Sequence, residues 1–274
     1  MAIRSANLNV MMRAAEKAGR ALVRDFGEVE QLQVSRKGPA DFVSSADKKA
    51  EDIIRRELQK ARPDYGFLME EGGEIVGEDN ANRFIIDPLD GTTNFLHGMP
   101  HWAVSIALEQ NGAVTTGVVY DPVKDEMFWA EKGQGAFLRD KRLRVSGRTK
   151  MADSVFATGI PHMGIGGGPK GHQTFIRRLH AIMGCSAGVR RWGVASLDLA
   201  YVAAGRYEGF WEQGLQPWDV AAGLIIVKEA GGFVTDLQGR DFKLNSPVVV
   251  ASNAGIQNAF GKTLRESEKS EKQS

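Results

Sequence analysis

Residues 83–94 read Arg83-Phe84-Ile85-Ile86-Asp87-Pro88-Leu89-Asp90-Gly91-Thr92-Thr93-Asn94, and the fold is organised around this stretch. Phe84, Ile85 and Ile86 form the continuous apolar run of a strand buried on both faces, and the run stops at two carboxylates, Asp87 and Asp90. Pro88 fixes its own φ and lacks an amide donor, while Gly91 can take backbone conformations that residues with a Cβ avoid. The chain is therefore expected to turn sharply between them. Thr92, Thr93 and Asn94 suit the first turn of a short helix, whose free amides attract anions. A cation site and a phosphate site would then lie side by side.

Two unit charges about 4 Å apart repel by roughly 4 kcal/mol at an effective dielectric of about 20, a large share of a domain's net stability. A shared proton or a hard divalent cation can offset that repulsion. More acids favour the cation. Glu70 and Glu71 end a second apolar segment, Phe67-Leu68-Met69, and Asp219 sits in Pro217-Trp218-Asp219 ahead of a helical stretch. Taken singly, each acid also fits a surface cap or a turn. As a set with oxygen donors and no His or Cys, they point to magnesium rather than zinc.

The rest of the composition bounds the class. With 274 residues the chain has ample material for a core, and 42% hydrophobic with 25% charged residues is the balance of an ordinary globular protein. A net charge of +1 gives no electrostatic footprint for nucleic acid or an anionic membrane, so a small-molecule partner is expected. The single Cys185 excludes internal disulfides and CxxC metal patterns, and buried packing is its expected role. No run reaches transmembrane length and no secretory signal is visible, so the expected compartment is the cytoplasm.

Along the chain, Leu8, Met11, Met12, Ala15, Ala18, Leu22 and Phe26 recur at helical spacing, with Gly27 as a stop. A polar passage through Lys37, Gly38 and Pro39 leads to a second helix capped by Ser44 or Ser45, with Asp47 in its first turn, where the helix dipole favours an acid. Residues 72–82 read as a polar, glycine-rich, mobile loop beside the acids. Trp102–Leu108 and Val114–Tyr120 flank Asn111-Gly112, the strongest short hairpin signal, and Met127–Ala130 and Gly135–Leu138 continue an antiparallel meander. From about residue 150, short strands interleave with helices: Val155–Thr158, Phe175–Met183, Ala195–Ala204, Phe210–Trp211, Ala221–Ala230 and Phe233–Thr235. Two intimately packed halves are expected, 1–145 with the metal-binding motif and 146–265 completing the site between them, then a flexible tail over 266–274.

Two further signals carry less. Gly166, Gly168 and Gly171 match GxGxxG formally, but Pro169 interrupts the pattern and Arg190 and Arg191 stand where an acid belongs, so a flexible loop is expected. The histidines show no HExxH spacing, and packing or rim roles are expected for His97 and His101.

With Asp87-Pro88-Leu89-Asp90-Gly91-Thr92-Thr93-Asn94 in view, the chain resembles the inositol monophosphatase family of metal-dependent, lithium-sensitive phosphatases. The resemblance extends through Asp41–Asp47, Glu70-Glu71, Gly117–Pro122, Trp218–Gly223 and Glu229–Gly232, and covers nearly everything from residue 5 to about 260. It implies an α/β (α+β) fold, a layered αβαβα sandwich of the inositol monophosphatase and fructose-1,6-bisphosphatase type, usually found as a homodimer. By position it implies that Glu70, Asp87, the carbonyl of Leu89, Asp90 and Asp219 hold two or three magnesium ions. Gly91 and Thr92 resemble the phosphate cradle, Thr92 with Asp47 the pair that orients the attacking water beside Glu70, and Gly193, Val194, Ala195, Glu212 and Asp219 the substrate side. The implied reaction is hydrolysis of inositol 1-phosphate or a related polyol monophosphate. Relatives with the same metal motifs act on fructose 1,6-bisphosphate, histidinol phosphate or 3'-phosphoadenosine 5'-phosphate, and a scaffold with a vestigial site is the non-enzymatic alternative. Met69 replaces a common Gly and Val194 a common Ser or Thr, the latter removing a hydroxyl contact to substrate.

Overall fold

The computed structural model describes residues 4–28, 34–38, 41–161 and 168–268. Helix α1 (Ala6–Phe26) starts at Ser5, whose Oγ accepts the amide of Leu8, and buries the stripe Leu8, Met11, Ala15, Ala18 and Leu22. Gly27 follows in right-handed backbone at φ −71°, so it stops the helix through its low helical preference rather than through a left-handed cap. Strands β1 (Val34–Gly38) and β2 (Asp41–Ser44) pair antiparallel across what the sequence suggested was a polar passage. Helix α2 (Ser45–Ala61) is capped by Ser44, not Ser45, in a reciprocal box with Asp47.

The next strands are β3 (Tyr65–Met69), β4 (Gly73–Ile75), β5 (Asp79–Asp90) and, after the short helix α3 (Thr92–Leu96), β6 (Ala103–Gln110), β7 (Ala113–Asp121), β8 (Glu126–Glu131), β9 (Gly135–Leu138) and β10 (Lys141–Arg142). They form an eight-stranded sheet in the order β10-β9-β8-β7-β6-β5-β3-β4. Every neighbouring pair is antiparallel except β3 with β5, and that exception puts the C-terminal ends of both strands at one edge of the site. The β6–β7 hairpin turns on Asn111 and Gly112, whose φ values of 52° and 75° are the pair of positive angles this tight turn needs. Residues 72–82, expected to be a loop, instead contribute β4 and the start of β5. An edge strand pairs on one side only and needs no buried alternation, so its polar sequence hid it.

A second, five-stranded sheet has the order β12-β11-β13-β15-β14, from β11 (Val155–Thr158), β12 (Gly188–Arg190), β13 (Gly209–Gln213), β14 (Phe233–Thr235) and β15 (Val248–Ser252). Helices α5 (Ala195–Ala203) and α6 (Pro217–Glu229) lie between the sheets, α6 against β5 to β9 and α5 against α6 and the smaller sheet. All nine residues of α5 are buried, so its sequence is apolar on every side except at Ser196, Asp198 and Tyr201. Helices α1 and α2 cover the far face of the large sheet, and α4 (Gly168–Met183) and α7 (Gln257–Glu266) pair on the far face of the small one. The succession is the αβαβα sandwich that the resemblance implied.

The apolar clusters follow those layers. Phe84 and Ile86 point into the cluster under α1 and α2, while Ile85 joins the cluster between the sheets, which is why β5 needs three apolar residues in a row. Three expectations need correction. Gly168 to Gly171 form the first turn of α4 rather than a loop, Pro169 being tolerated there, while Gly166 lies outside the described residues. Glu266 closes α7 instead of opening a tail, and Glu268 pairs with the buried Arg178; residues 269–274 lie outside the described residues. Cys185 is only partly buried, its thiol directed at the carbonyl oxygens of Ala181 and Ile182 beyond the end of α4. Among the described residues no helix is long and apolar enough to cross a membrane.

Candidate active site

The parallel pairing of β3 with β5 carries the first acids together. Met69 stands opposite Ile86, and the amide of Glu70 donates to the Ile86 carbonyl at 3.2 Å, so Glu70 leaves β3 beside Asp87. Asp87 and Asp90 are three residues apart, a spacing that in a regular strand points side chains to opposite faces. The pairing with β6 slips between them: Asp87 faces Ser105 and Asp90 faces Ala103, so three steps on β5 match two on β6. This bulge reverses the alternation and turns both carboxylates to one side, and Pro88, which has no amide to donate, sits where the ladder is broken. The Leu89 amide donates to Asp87 Oδ1 at 3.0 Å and tightens the turn.

Asp219 reaches the same place from α6. It is the third helical residue, held by the Gln216 amide donating to its Oδ2 at 2.7 Å. Asp90 is held from α5, where the Ser196 amide donates to Oδ2 at 2.8 Å. Burial pushes the Asp87 carboxyl well above the usual range, and the charges of Glu70, Asp90 and Asp219 push it further. Burial likewise raises Asp219, with Asp90 and Glu70 adding to it, and lifts Asp90 to about 6 against the donors of Ser196. Acids from three separate segments therefore act on one another's ionisation.

Among the described residues no three His, Cys, Asp or Glu side chains stand ready-arranged around an ion. The donor chemistry nevertheless fits a hard cation: carboxylates without His or Cys, partly or fully buried, and costly to ionise together. The Leu89 carbonyl, next to Asp87 and Asp90 in the chain, is a further oxygen donor of the same hard kind. In this structure that carbonyl lies 3.0 Å from Thr92 Oγ1.

Beside the acids, Gly91 precedes α3 with φ +95°, and a Cβ built on it would lie 2.8 Å from Val194 Cγ2. The backbone can approach Val194 only because Gly91 has no side chain. Thr92 Oγ1 donates to Asp47 Oδ1 at 2.9 Å. Asp47 is fully buried, and its other oxygen accepts from the Ser44 amide at 2.9 Å and the Ser44 hydroxyl at 2.5 Å. The α2 capping box thus also fixes the acid that orients Thr92.

The remaining wall comes from the second half of the chain. Gly193 has φ +73°, Val194 is fully buried in the core between the sheets, and Ala195 opens α5. The Val194 side chain packs inward, so only its backbone can meet a ligand. Glu212 on β13 lies against Gly159, where an added Cβ would fall 1.7 Å from its Oε1. Burial and the charge of Asp90 push Glu212 up to about 8, while Arg191 pulls it down.

Several residues that matter here were not singled out in the sequence. Asp198 is the one acid of α5, fully buried and raised by burial and then by Glu212 and Asp90; an acid in an otherwise apolar helix was the signal available. Ser196 gives its main-chain amide to the Asp90 carboxylate, Glu51 accepts the Glu71 amide, and Asn94, read in the sequence only as part of a helix start, donates to the carbonyls of His101 and Trp192. His101 is buried with Nδ1 3.2 Å from Lys124 Nζ, and burial and that cation push it down to about 4, so it is a neutral packing residue; His97 is exposed.

Residues 4–271 match the model of the inositol monophosphatase family. An inositol-1-monophosphatase of Mesorhizobium japonicum is 58% identical over 96% of this chain and 97% of its own length. The Nus factor SuhB of Escherichia coli K12 is 42% identical over 94% of this chain and 96% of its own. The crystal structure of the extragenic suppressor protein suhB of Bartonella henselae superposes with a TM-score of 0.92 at 56% identity, covering 96% of this chain and 99% of that one.

Proposed function

This chain belongs to the inositol monophosphatase family, and on that premise we propose that it hydrolyses inositol 1-phosphate or a closely related polyol monophosphate at the cluster of Glu70, Asp87, Asp90 and Asp219. The observation that carries the proposal is the mutual influence of these acids, delivered by β3, β5 and α6 to one place. The same proposal includes two or three magnesium ions held by those four side chains and the Leu89 carbonyl, inhibition by lithium, a homodimer and a cytoplasmic location. When bound, the ions would supply positive charge to the phosphate oxygens and activate water.

The chain's own residues do the aligning. Phosphoryl transfer spreads negative charge over the phosphate oxygens, so most of the work is placement. Gly91, free of a Cβ that would collide with Val194, takes the positive φ that turns the main chain from β5 into α3, where its amides would meet the phosphate. Thr92 gives its hydroxyl hydrogen to Asp47, which leaves a lone pair on Oγ1 to accept a hydrogen from the attacking water. Because Asp47 is itself fixed by two donors from Ser44, that lone pair has one direction, and the water is held for in-line attack beside Glu70. The single cysteine is not prepared as a covalent nucleophile: burial raises the Cys185 thiol away from thiolate formation, and it points to the end of α4. On the alcohol side, Gly193, Val194 and Ala195 offer backbone groups, and Glu212 offers a carboxyl to ring hydroxyls.

Asp90→Asn tests the assignment. The amide oxygen can still accept from the Ser196 amide, so the fold is expected to survive. Magnesium-dependent phosphate release from inositol 1-phosphate is expected to fall by at least about 100-fold, the upper end of what the partners that merely orient metal ligands contribute. Turnover retained in that variant would overturn the proposal.

A further inference from the structure

We propose that Glu51 is a positioning residue: its carboxylate, projecting from α2, fixes the main chain just beyond β3 and so aims Glu70 into the acid cluster. The proposal rests on the reading of that cluster as a magnesium site and adds a residue outside it. The pairing of β3 with β5 ends with the Glu70 amide on the Ile86 carbonyl. The next amide, that of Glu71, donates to Glu51 Oε2 at 2.8 Å. Glu70 is thus anchored on one side by the sheet and on the other by Glu51.

The local packing is built around this contact. A Cβ added at Gly72 would lie 2.9 Å from Glu51 Oε1 and 2.8 Å from Met69 Cε, so the chain passes tightly over the carboxylate. Glu51 is only 6% exposed. Burying an acid carries a desolvation cost that a Leu in the same space would not have. A carboxylate accepting a main-chain amide in a buried setting makes a short, strong bond, which a Leu cannot make.

Glu51 also stands one helical turn after Asp47, on the same face of α2. One face of one helix therefore holds both sides of the reaction centre, Thr92 through Asp47 and Glu70 through Glu51. A shift of α2 would move the water-orienting pair and the metal acid together.

The test compares Glu51→Gln, Glu51→Asp and Glu51→Ala with the wild type. Magnesium affinity is measured by calorimetry, and exchange of the Glu71 amide is followed by NMR in metal-free protein. Gln keeps an acceptor at the same reach, so affinity is expected to stay within about threefold and the amide to remain protected. Asp keeps the charge but falls one methylene short, and Ala keeps neither. Both are expected to expose the amide and weaken magnesium about 10- to 100-fold, the range found for outer-shell partners of metal ligands. If Ala does not fold, the order of Gln against Asp still decides, because a role for the charge alone predicts that Asp binds better than Gln. That order, or unchanged affinity in Asp, would overturn the proposal while leaving the phosphatase reading standing. Wild-type protein that takes up no magnesium would overturn both.

Discussion

Replacing Thr92 by Val keeps the shape of the side chain and removes only the hydroxyl, which makes it the cleanest probe of the site. In the wild type that hydroxyl lies 2.9 Å from Asp47 Oδ1 and 3.0 Å from the Leu89 carbonyl. It has one hydrogen, and the carboxylate is the stronger acceptor. Asp47 is fully buried, so its Oδ1 cannot turn to water for a replacement donor. A hydrogen bond to a charged group contributes about 1.5 to 3 kcal/mol, and one kcal/mol shifts the melting temperature of a chain this long by about 2 to 4 °C. Thr92→Val is therefore expected to melt roughly 3 to 12 °C lower. Its kcat for phosphate release is expected to fall about 10²- to 10⁴-fold, the contribution of a positioned proton-transfer partner. Thr92→Ser keeps the hydroxyl and should retain most of the rate. The assay is phosphate release under saturating magnesium, paired with thermal unfolding of the metal-free protein. If Val turns over within threefold of wild type, or if Ser falls as far as Val, the orientation of water by Thr92 and Asp47 is wrong.

Two further outcomes follow from the same geometry. Asp90 and Glu212 have carboxyls raised to about 6 and about 8, chiefly by burial, so the folded protein holds their protons more tightly than the unfolded chain does. Their stabilising contribution is present below the ordinary carboxylate range and is lost as pH rises toward 8; a bound cation reverses that loss. Saturating magnesium is thus expected to raise the melting temperature more at pH 8 than at pH 5.5, and an equal or opposite order in a calorimetric scan would contradict the raised carboxyls. Glu212→Ala is expected to change relative rates across a panel of inositol, sugar, nucleotide and amino-alcohol phosphates by about tenfold, the loss of one good hydrogen bond; an unchanged profile would remove Glu212 from substrate selection.

The acids and the first helices were legible in the sequence because they depend on local signals. Phe84-Ile85-Ile86 before Asp87 marked a strand buried on both faces, Asn111-Gly112 marked a hairpin, and the spacing of Leu8 to Leu22 marked a helix. The bulge that turns Asp87 and Asp90 to one side was not legible, because it depends on register with β6 and not on the composition of β5. Glu51, Ser196 and Asn94 were missed for a related reason. Each makes a hydrogen bond in which one partner is main chain far away in sequence, the Glu71 amide for Glu51, the Trp192 carbonyl for Asn94 and its own amide on Asp90 for Ser196, and a main-chain partner leaves no mark in the pattern of side chains. That the Val194 side chain packs against Gly91 between the sheets, leaving only its backbone for a ligand, was also not legible, because it depends on a contact between distant segments. The edge strand β4 and the first turn of α4 were hidden by polar and glycine-rich sequence that resembles a loop.

Asn94 gives this cleft a mechanical property of its own. Its single Nδ2 nitrogen donates at 2.8 Å both to the His101 carbonyl, just ahead of β6, and to the Trp192 carbonyl, just ahead of Gly193. Both hydrogens of one amide are committed, and the two strands of chain they hold come from opposite halves of the sequence. The Asn94 amide therefore works as a pin between the two halves: a shift of the segment before Gly193 pulls on α3, and a shift of α3 is felt at residue 192.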